Sequence, residues 1–161
     1  EVAGAKRATT DAGTRVLLIA QWPGVISPKT VNNDLIDFSD FLPTICEATG
    51  IKIPESLQLD GKSFLPQLQG ESGQPRKWIY CWFARNPSIH EPKIFVRNQR
   101  YKLYASGEFY EVPKDWDEQN PVKIEDLDED TEQTYQMFKK VLNHYSTKRL
   151  ECIPEKTETN E

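Results

Sequence analysis

Chemistry near neutral pH needs a proton carrier, an activated nucleophile or converging metal ligands, and few residues of this chain are spaced to supply one. The two histidines stand apart: His90 lies in a loop beside Pro92, and His144 sits late in a helical pattern. Neither has a second histidine or a carboxylate at ligand spacing, so each reads as a surface residue before it reads as a catalyst. Cys46, Cys81 and Cys152 form an odd, widely spaced set. Such a set argues against a disulfide framework and against a zinc site of paired cysteines. The acids between Asp126 and Glu132 could collect calcium, but they lack the glycine and distal glutamate of an EF-hand loop, and a charged helix start is the simpler account. A nucleophile elbow and a phosphate-cradling loop are both missing. No self-sufficient active site is visible.

The elements that would position a site come from a chain of 161 residues, 37% hydrophobic, which suits one domain or two small lobes around a lean core. Its 20 Lys and Arg against 25 Asp and Glu leave a net charge of -5, so no phosphate-neutralising surface is implied and no nucleic-acid partner is expected. Residues 108–132 hold eleven acids and two bases, a net of -9 that leaves +4 on the remainder. That acidic stretch precedes a helical pattern and reads as a solvated linker and helix N-terminus rather than an acidic binding tail. No apolar run approaches the ~18 residues needed to span a membrane, and no membrane partner is expected. The opening Glu-Val-Ala-Gly-Ala-Lys-Arg is neither a start methionine nor a signal peptide, so the chain reads as beginning within a longer protein.

Residues 15–22 form a continuous apolar run closed by Pro23-Gly24, the pattern of a strand covered on both faces. The chain supplies few amphipathic helices to cover it, so the expectation is a strand of a sheet lying largely outside these residues. Residues 37–50 predict a helix with Phe38, Phe41, Leu42, Ile45 and Ala48 on one stripe, a cap at Ser39 or Asp40, Pro43 in the first turn and Gly50 at a left-handed C-terminal position. Residues 52–76 are rich in Pro and Gly and read as loop with one short turn at 63–68. Four short strands follow, at 78–83, 93–97, 100–104 and 109–112, with tight turns at Asn98-Gln99 and Ser106-Gly107, which predicts an antiparallel meander. Arg97, Arg100 and Lys102 read as the solvated face of that half-buried sheet. Tyr135, Phe138, Val141, Leu142 and Tyr145 recur at helical spacing, with acids leading and bases trailing, and supply the cover for the other face. Residues 151–161 lack apolar content and are expected to be peripheral or disordered.

Several phrases resemble the sulfatase family in order. Lys6-Arg-Ala-Thr-Thr-Asp-Ala-Gly-Thr-Arg15-Val, then Leu18-Ile-Ala-Gln-Trp-Pro-Gly24, resembles the phrase that runs from a sulfate-contacting lysine through a glycine turn into a buried strand. Asp34-Leu-Ile-Asp-Phe-Ser-Asp40-Phe-Leu-Pro43-Thr44, Ala48-Thr-Gly50 and Asp60-Gly-Lys-Ser63 resemble the next landmarks. Val96-Arg97-Asn-Gln-Arg100-Tyr101-Lys102-Leu103 and Gly107-Glu-Phe-Tyr110 resemble a hairpin and strand of arylsulfatase-like proteins. The resemblance covers about residues 6 to 112 and identifies the chain as the C-terminal portion of a sulfatase of the alkaline-phosphatase-like superfamily. It implies an α/β (α+β) fold: the last strand or strands of a large mixed sheet, then a small four-stranded antiparallel sheet packed on a C-terminal helix. Residues 1–76 would end the large domain with a connecting loop, 77–150 would form the small lobe, and 151–161 a polar tail.

The same resemblance implies hydrolysis of sulfate esters through a formylglycine made from cysteine or serine, beside calcium, in the intact protein. Cys152-Ile-Pro154-Glu-Lys156 mimics the formylglycine pattern, but lysine replaces its arginine and the position is at the wrong end; Ser72-Gly-Gln-Pro75-Arg76 has the wrong spacing. No cofactor is expected in this chain, and alone it should be inactive. Lys6 is the remaining candidate for a sulfate contact, the alternative being a solvated lysine at a frayed end. Arg85, Asn86 and His90, in the loop between the first two small-lobe strands, would help recognise an anionic or sugar substrate at the rim of the cleft, unless the loop is a plain exposed connection. The expected partners are the rest of the parent sulfatase, or a second copy through the apolar first strand, and a sulfated small molecule or glycan in the intact protein. The compartment is not readable; the resemblance implies an exported parent, periplasmic, extracellular or lysosomal. The alternative function is a non-catalytic module that docks on a partner or carbohydrate.

Overall fold

The computed structural model describes residues 6–84 and 91–150, with side chains as far as 146. The described chain divides into two compact units, residues 6–14 with those from Tyr80 onward, and Arg15–Ile79.

The first unit holds the expected meander. Strands β1 (Ile79–Phe83), β2 (Lys93–Arg97), β3 (Tyr101–Tyr104) and β4 (Phe109–Glu111) make one sheet in sequence order. The pairs β2–β3 and β3–β4 are antiparallel, with Val96 opposite Leu103 and Leu103 opposite Phe109. Asn98 closes the first of these hairpins by accepting from the backbone N–H of Arg100 (2.8 Å) and of Tyr101 (2.6 Å). Gly107 closes the second at φ 109°, a conformation that costs glycine little.

Because side chains alternate across a strand, this register puts Val96, Tyr101, Leu103 and Phe109 on one face. A long helix, Glu129–Leu150, covers them. Asp128, just before the helix, accepts from the Thr131 N–H at 2.8 Å, and acids fill the first turn, as the helix dipole favours. The expected apolar stripe makes the contact: Phe138 is fully buried, Tyr135 meets Phe109 edge to face at 5.4 Å, and Tyr145 stacks on Tyr80 at 4.4 Å.

The opposite face departs from expectation. Phe95, Arg97, Lys102 and Tyr104 lie there together, yet the Lys102 side chain is 0% exposed and that of Arg97 only 13%; of the three bases read as solvated, Arg100 alone is open, at 60%. The reason is a second cover. Residues 6–14, including the four-residue helix Asp11–Thr14, lie over this face and turn a half-buried sheet into a two-sided one.

In the second unit, helix Phe41–Thr49 follows a 3-10 turn at Phe38–Asp40, and Gly50 ends it at φ 71° as expected. Asp40 stands at the N-cap of this helix, one of the two expected positions, but its side chain makes no cap bond there; Asp37 caps the 3-10 turn, accepting from the Ser39 N–H (2.9 Å) while Asp40 reaches back to the Asp37 N–H (2.8 Å), a reciprocal capping box. Asp40 also ties the unit together. Its buried carboxylate accepts from the Lys62 N–H (2.6 Å) and from two nitrogens of Arg76, one at 2.6 Å, while Arg76 reaches the Asp60 carbonyl at 3.0 Å. Gly61 lies so close that a Cβ there would meet the Ser39 carbonyl oxygen at 1.9 Å.

The run 15–22 forms no ladder within the described residues, where the expectation is a strand of a sheet lying largely outside them. Val16, Leu17 and Ile19 are 74%, 81% and 81% exposed. A strand exists only through a neighbouring strand that takes its N–H and C=O groups, and residues 15–22 carry no strand or bridge assignment. Leu42 and Ile45 on the helix stripe are likewise open. Leu18, Ile19, Trp22, Phe41, Ile45 and Leu68 border an apolar cavity of ≈ 250 Å³ within this unit.

Burial by itself would raise the Asp40 pKa, but the Arg76 guanidinium and the N–H groups of Lys62 and Asp37 outweigh it and hold the carboxyl below its ordinary 3.8. As pH falls, the unfolded chain therefore takes up this proton first. The stabilisation is complete above about pH 4 and is lost as pH drops through the lower folded value. We predict that Asp40→Asn costs about 3 kcal/mol at pH 7 and flattens the acid dependence, read from denaturant midpoints between pH 6 and 3. An unchanged acid slope would sink the assignment. Gly61→Ala should cost about 2–3 kcal/mol in the same assay, since backbone cannot move aside as a side chain would.

Candidate functional site

The first unit contains a buried polar network built between residues 9–11, strands β2 and β3, and the loop after β4. Arg97 and Lys102 are direct partners across the ladder. Two like charges so placed repel unless each has its own counter-ion. Arg97 pairs with Asp11, which is 2% exposed. Lys102 Nζ donates to Glu118 Oε1 at 2.7 Å and to the Thr9 carbonyl, and lies 4.0 Å from the Phe95 ring centre and 4.8 Å from that of Tyr104. Tyr104 donates its hydroxyl proton to Glu118 Oε2 at 2.5 Å and stands 3.1 Å from the Thr9 hydroxyl.

Burial pushes the Lys102 pKa down, and the Glu118 carboxylate restores part of it. The Tyr104 phenol is pushed far up, first by burial and then by its bond to Glu118, so it serves as a fixed donor rather than an acid. Glu118 itself adopts φ 54°, a left-handed conformation that costs a non-glycine residue free energy, and the two bonds to its carboxylate hold it there.

Lys6 sits at the edge of this assembly. It is exposed in a turn, three residues before Thr9, with Arg7 beside it at φ 81°. Among the described residues it has no ion-pair partner, so its three donors face solvent, where an anion can reach them. Arg85, Asn86 and His90 lie outside the described residues, as does Cys152. His144 is exposed on the long helix and meets Tyr145 edge to face.

Among the described residues no three His, Cys, Asp or Glu side chains converge to hold a metal ion. Neither of the described cysteines, Cys46 and Cys81, is followed two positions on by the proline of the formylglycine pattern. No described helix is long and apolar enough to cross a membrane.

Sequence reasoning missed Lys102, Glu118 and Asp11. One signal was present for Lys102: it stands inside Tyr101-Lys102-Leu103-Tyr104, a strand apolar on both sides of the lysine, as in a sheet covered twice. Nothing marked Glu118 among the other acids of its loop.

The solved structure of a 2-O GAG sulfatase matches at a TM-score of 0.52 and 25% identity, over 71% of this chain and 26% of that one. The family follows from sequence. The family model described as N-sulphoglucosamine sulphohydrolase, C-terminal, matches residues 5–151, and the chain belongs to that family. An ulvan-active sulfatase of Formosa agariphila is 39% identical over 63% of the chain, the uncharacterized sulfatase YdeN of Escherichia coli K12 40% over 60%, and human arylsulfatase A 31% over 62%. The chain spans about a fifth of the length of each, with coverages of 21%, 19% and 19%.

Removing one member of a buried ion pair strands the other. We predict that Lys102→Met and Glu118→Gln each destabilise the protein by about 3 kcal/mol in denaturant titrations, and that the double variant costs clearly less than their sum. Strict additivity would show that the two groups are not coupled.

Proposed function

We propose that this chain is the C-terminal part of an enzyme that hydrolyses sulfate esters, with Lys6 as its contact to the substrate's sulfate. One observation carries the reading: the sulfatase family match begins at residue 5, so it takes in Lys6 together with the segment pinned to the sheet. An exposed ammonium held at the edge of a rigid body suits the sulfuryl oxygens, which are acceptors only and gather negative charge as the ester cleaves. In this reading residues 1–76 end the larger domain, 77–150 form the small lobe, and 151–161 are a tail. Arg85, Asn86 and His90 read the anionic or sugar part of the substrate. The formylglycine nucleophile and calcium belong to other residues of the enzyme. The substrate class is a sulfated glycan or a small sulfate ester; relatives described as an ulvan-active sulfatase and a 2-O GAG sulfatase favour the glycan. The open apolar run 16–22 is covered by the rest of the parent sulfatase or by a second copy. Export of the parent rests on the family resemblance.

The full-length gene product should hydrolyse a chromogenic aryl sulfate, and Lys6→Ala should lower kcat/KM about 100-fold. The 161-residue chain by itself should show no turnover. Hydrolysis by that isolated chain would end the claim that its chemistry depends on other residues. A full-length product that binds a partner or a sulfated carbohydrate yet cleaves no sulfate ester would instead favour a non-catalytic module. Sizing of the 161-residue chain at several concentrations should show self-association, and a dilution-resistant monomer counts against the apolar contact.

A further inference from the structure

We infer that Lys102, Glu118 and Tyr104 are positioning residues for Lys6, clamping residues 9–11 to the sheet and so fixing where the Lys6 ammonium meets a sulfate. The inference rests on the reading of Lys6 given above. Three observations lead to it.

First, the clamp grips the segment close to Lys6. Lys102 holds the Thr9 carbonyl, Tyr104 stands against the Thr9 hydroxyl, and Arg97 holds Asp11. These grips come from positions 86 to 95 residues away in sequence, so they are tertiary and not part of a local turn. Between Thr9 and Lys6 run only two residues, one of them Arg7 in a left-handed conformation. Second, the clamp uses a group that packing alone does not require. A methionine would fill the slot between Phe95 and Tyr104 without desolvating a charge. What it cannot do is donate to the Thr9 carbonyl and Glu118 at once. Third, Glu118 is itself held in a strained backbone conformation by the bonds it gives the clamp. A catalytic contact displaced by about 1 Å can lose on the order of 100-fold in rate, so a segment this short between grip and ammonium transmits any slack directly.

The experiment uses the full-length gene product and three substitutions. Lys102→Met removes the ammonium, Tyr104→Phe removes one hydroxyl with little risk to folding, and Lys6→Ala removes the group being positioned. With a chromogenic aryl sulfate, Lys102→Met should lower kcat about 10-fold or more with KM changed less, and Tyr104→Phe about 3-fold. In the Lys6→Ala background the same two substitutions should cost almost nothing further, because nothing is left to misplace. A second readout does not depend on activity: trypsin cleavage after Arg7, followed by mass spectrometry under native conditions, should be about 10-fold faster in Lys102→Met and faster in Tyr104→Phe than in the wild type. If the effects of Lys102→Met and Lys6→Ala multiply independently, the positioning role is overturned while the sulfatase reading stands. An unchanged cleavage rate in both clamp variants overturns the clamp itself. A wild-type protein that cleaves no sulfate ester, yet shows the faster proteolysis in its variants, overturns the reading of Lys6 and keeps the clamp as a structural device.

Discussion

An ammonium group with no exposure to water costs several kcal/mol to desolvate unless its protons find acceptors and a counter-charge. Lys102 meets that demand only because three separate pieces of chain converge on it: the Thr9 carbonyl from the N-terminal segment, Glu118 from the loop after β4, and the rings of Phe95 and Tyr104 from the sheet. Remove any of them and the buried charge is stranded. The N-terminal segment, the second face of the sheet and the turn that carries Lys6 all depend on this one satisfied cation.

The second unit repeats the device with the signs exchanged. There a buried carboxylate, Asp40, gathers Arg76 from 36 positions away and the Lys62 N–H from 22 positions away, with glycine at 61 because the backbones touch. Thr44 adds to the same junction by donating to the Asp40 carbonyl (2.6 Å) and accepting from the Phe64 N–H (3.0 Å). In both units a buried, hydrogen-bonded charge does what the lean core cannot do alone. Apolar burial is non-directional and would tolerate small slips between segments; a buried charge held by directed hydrogen bonds does not.

The apolar surface tells a complementary story. Residues 16–19, the open stripe of the Phe41–Thr49 helix and the cavity they border present side chains whose removal from water would contribute about 25 cal/mol per Å². Membership of a sulfatase C-terminal family, in a chain whose match spans about a fifth of its relatives' length, is in keeping with such a surface.

Much of the fold was legible in the residue pattern. The meander, the Glu129–Leu150 helix, the glycine stop at Gly50 and the short turn near Leu65 follow from local rules: alternation, helical spacing, turn chemistry and capping act over a few residues, and sequence displays them directly. The ordered phrases carried the family as well. Local rules place a cap only to within a residue or two: Asp40 stands at the N-cap of the helix as expected, but the side-chain cap bond is made by Asp37 at the 3-10 turn before it. What only the tertiary structure decided is which charges are buried. Arg97, Arg100 and Lys102 look alike along the strand, and only the arrival of Thr9 and Asp11 from more than 80 positions away separates two enclosed cations from one solvated one. The side-chain period of a strand says which residues share a face; it carries no information about what will cover that face, because the cover is supplied by chain remote in sequence.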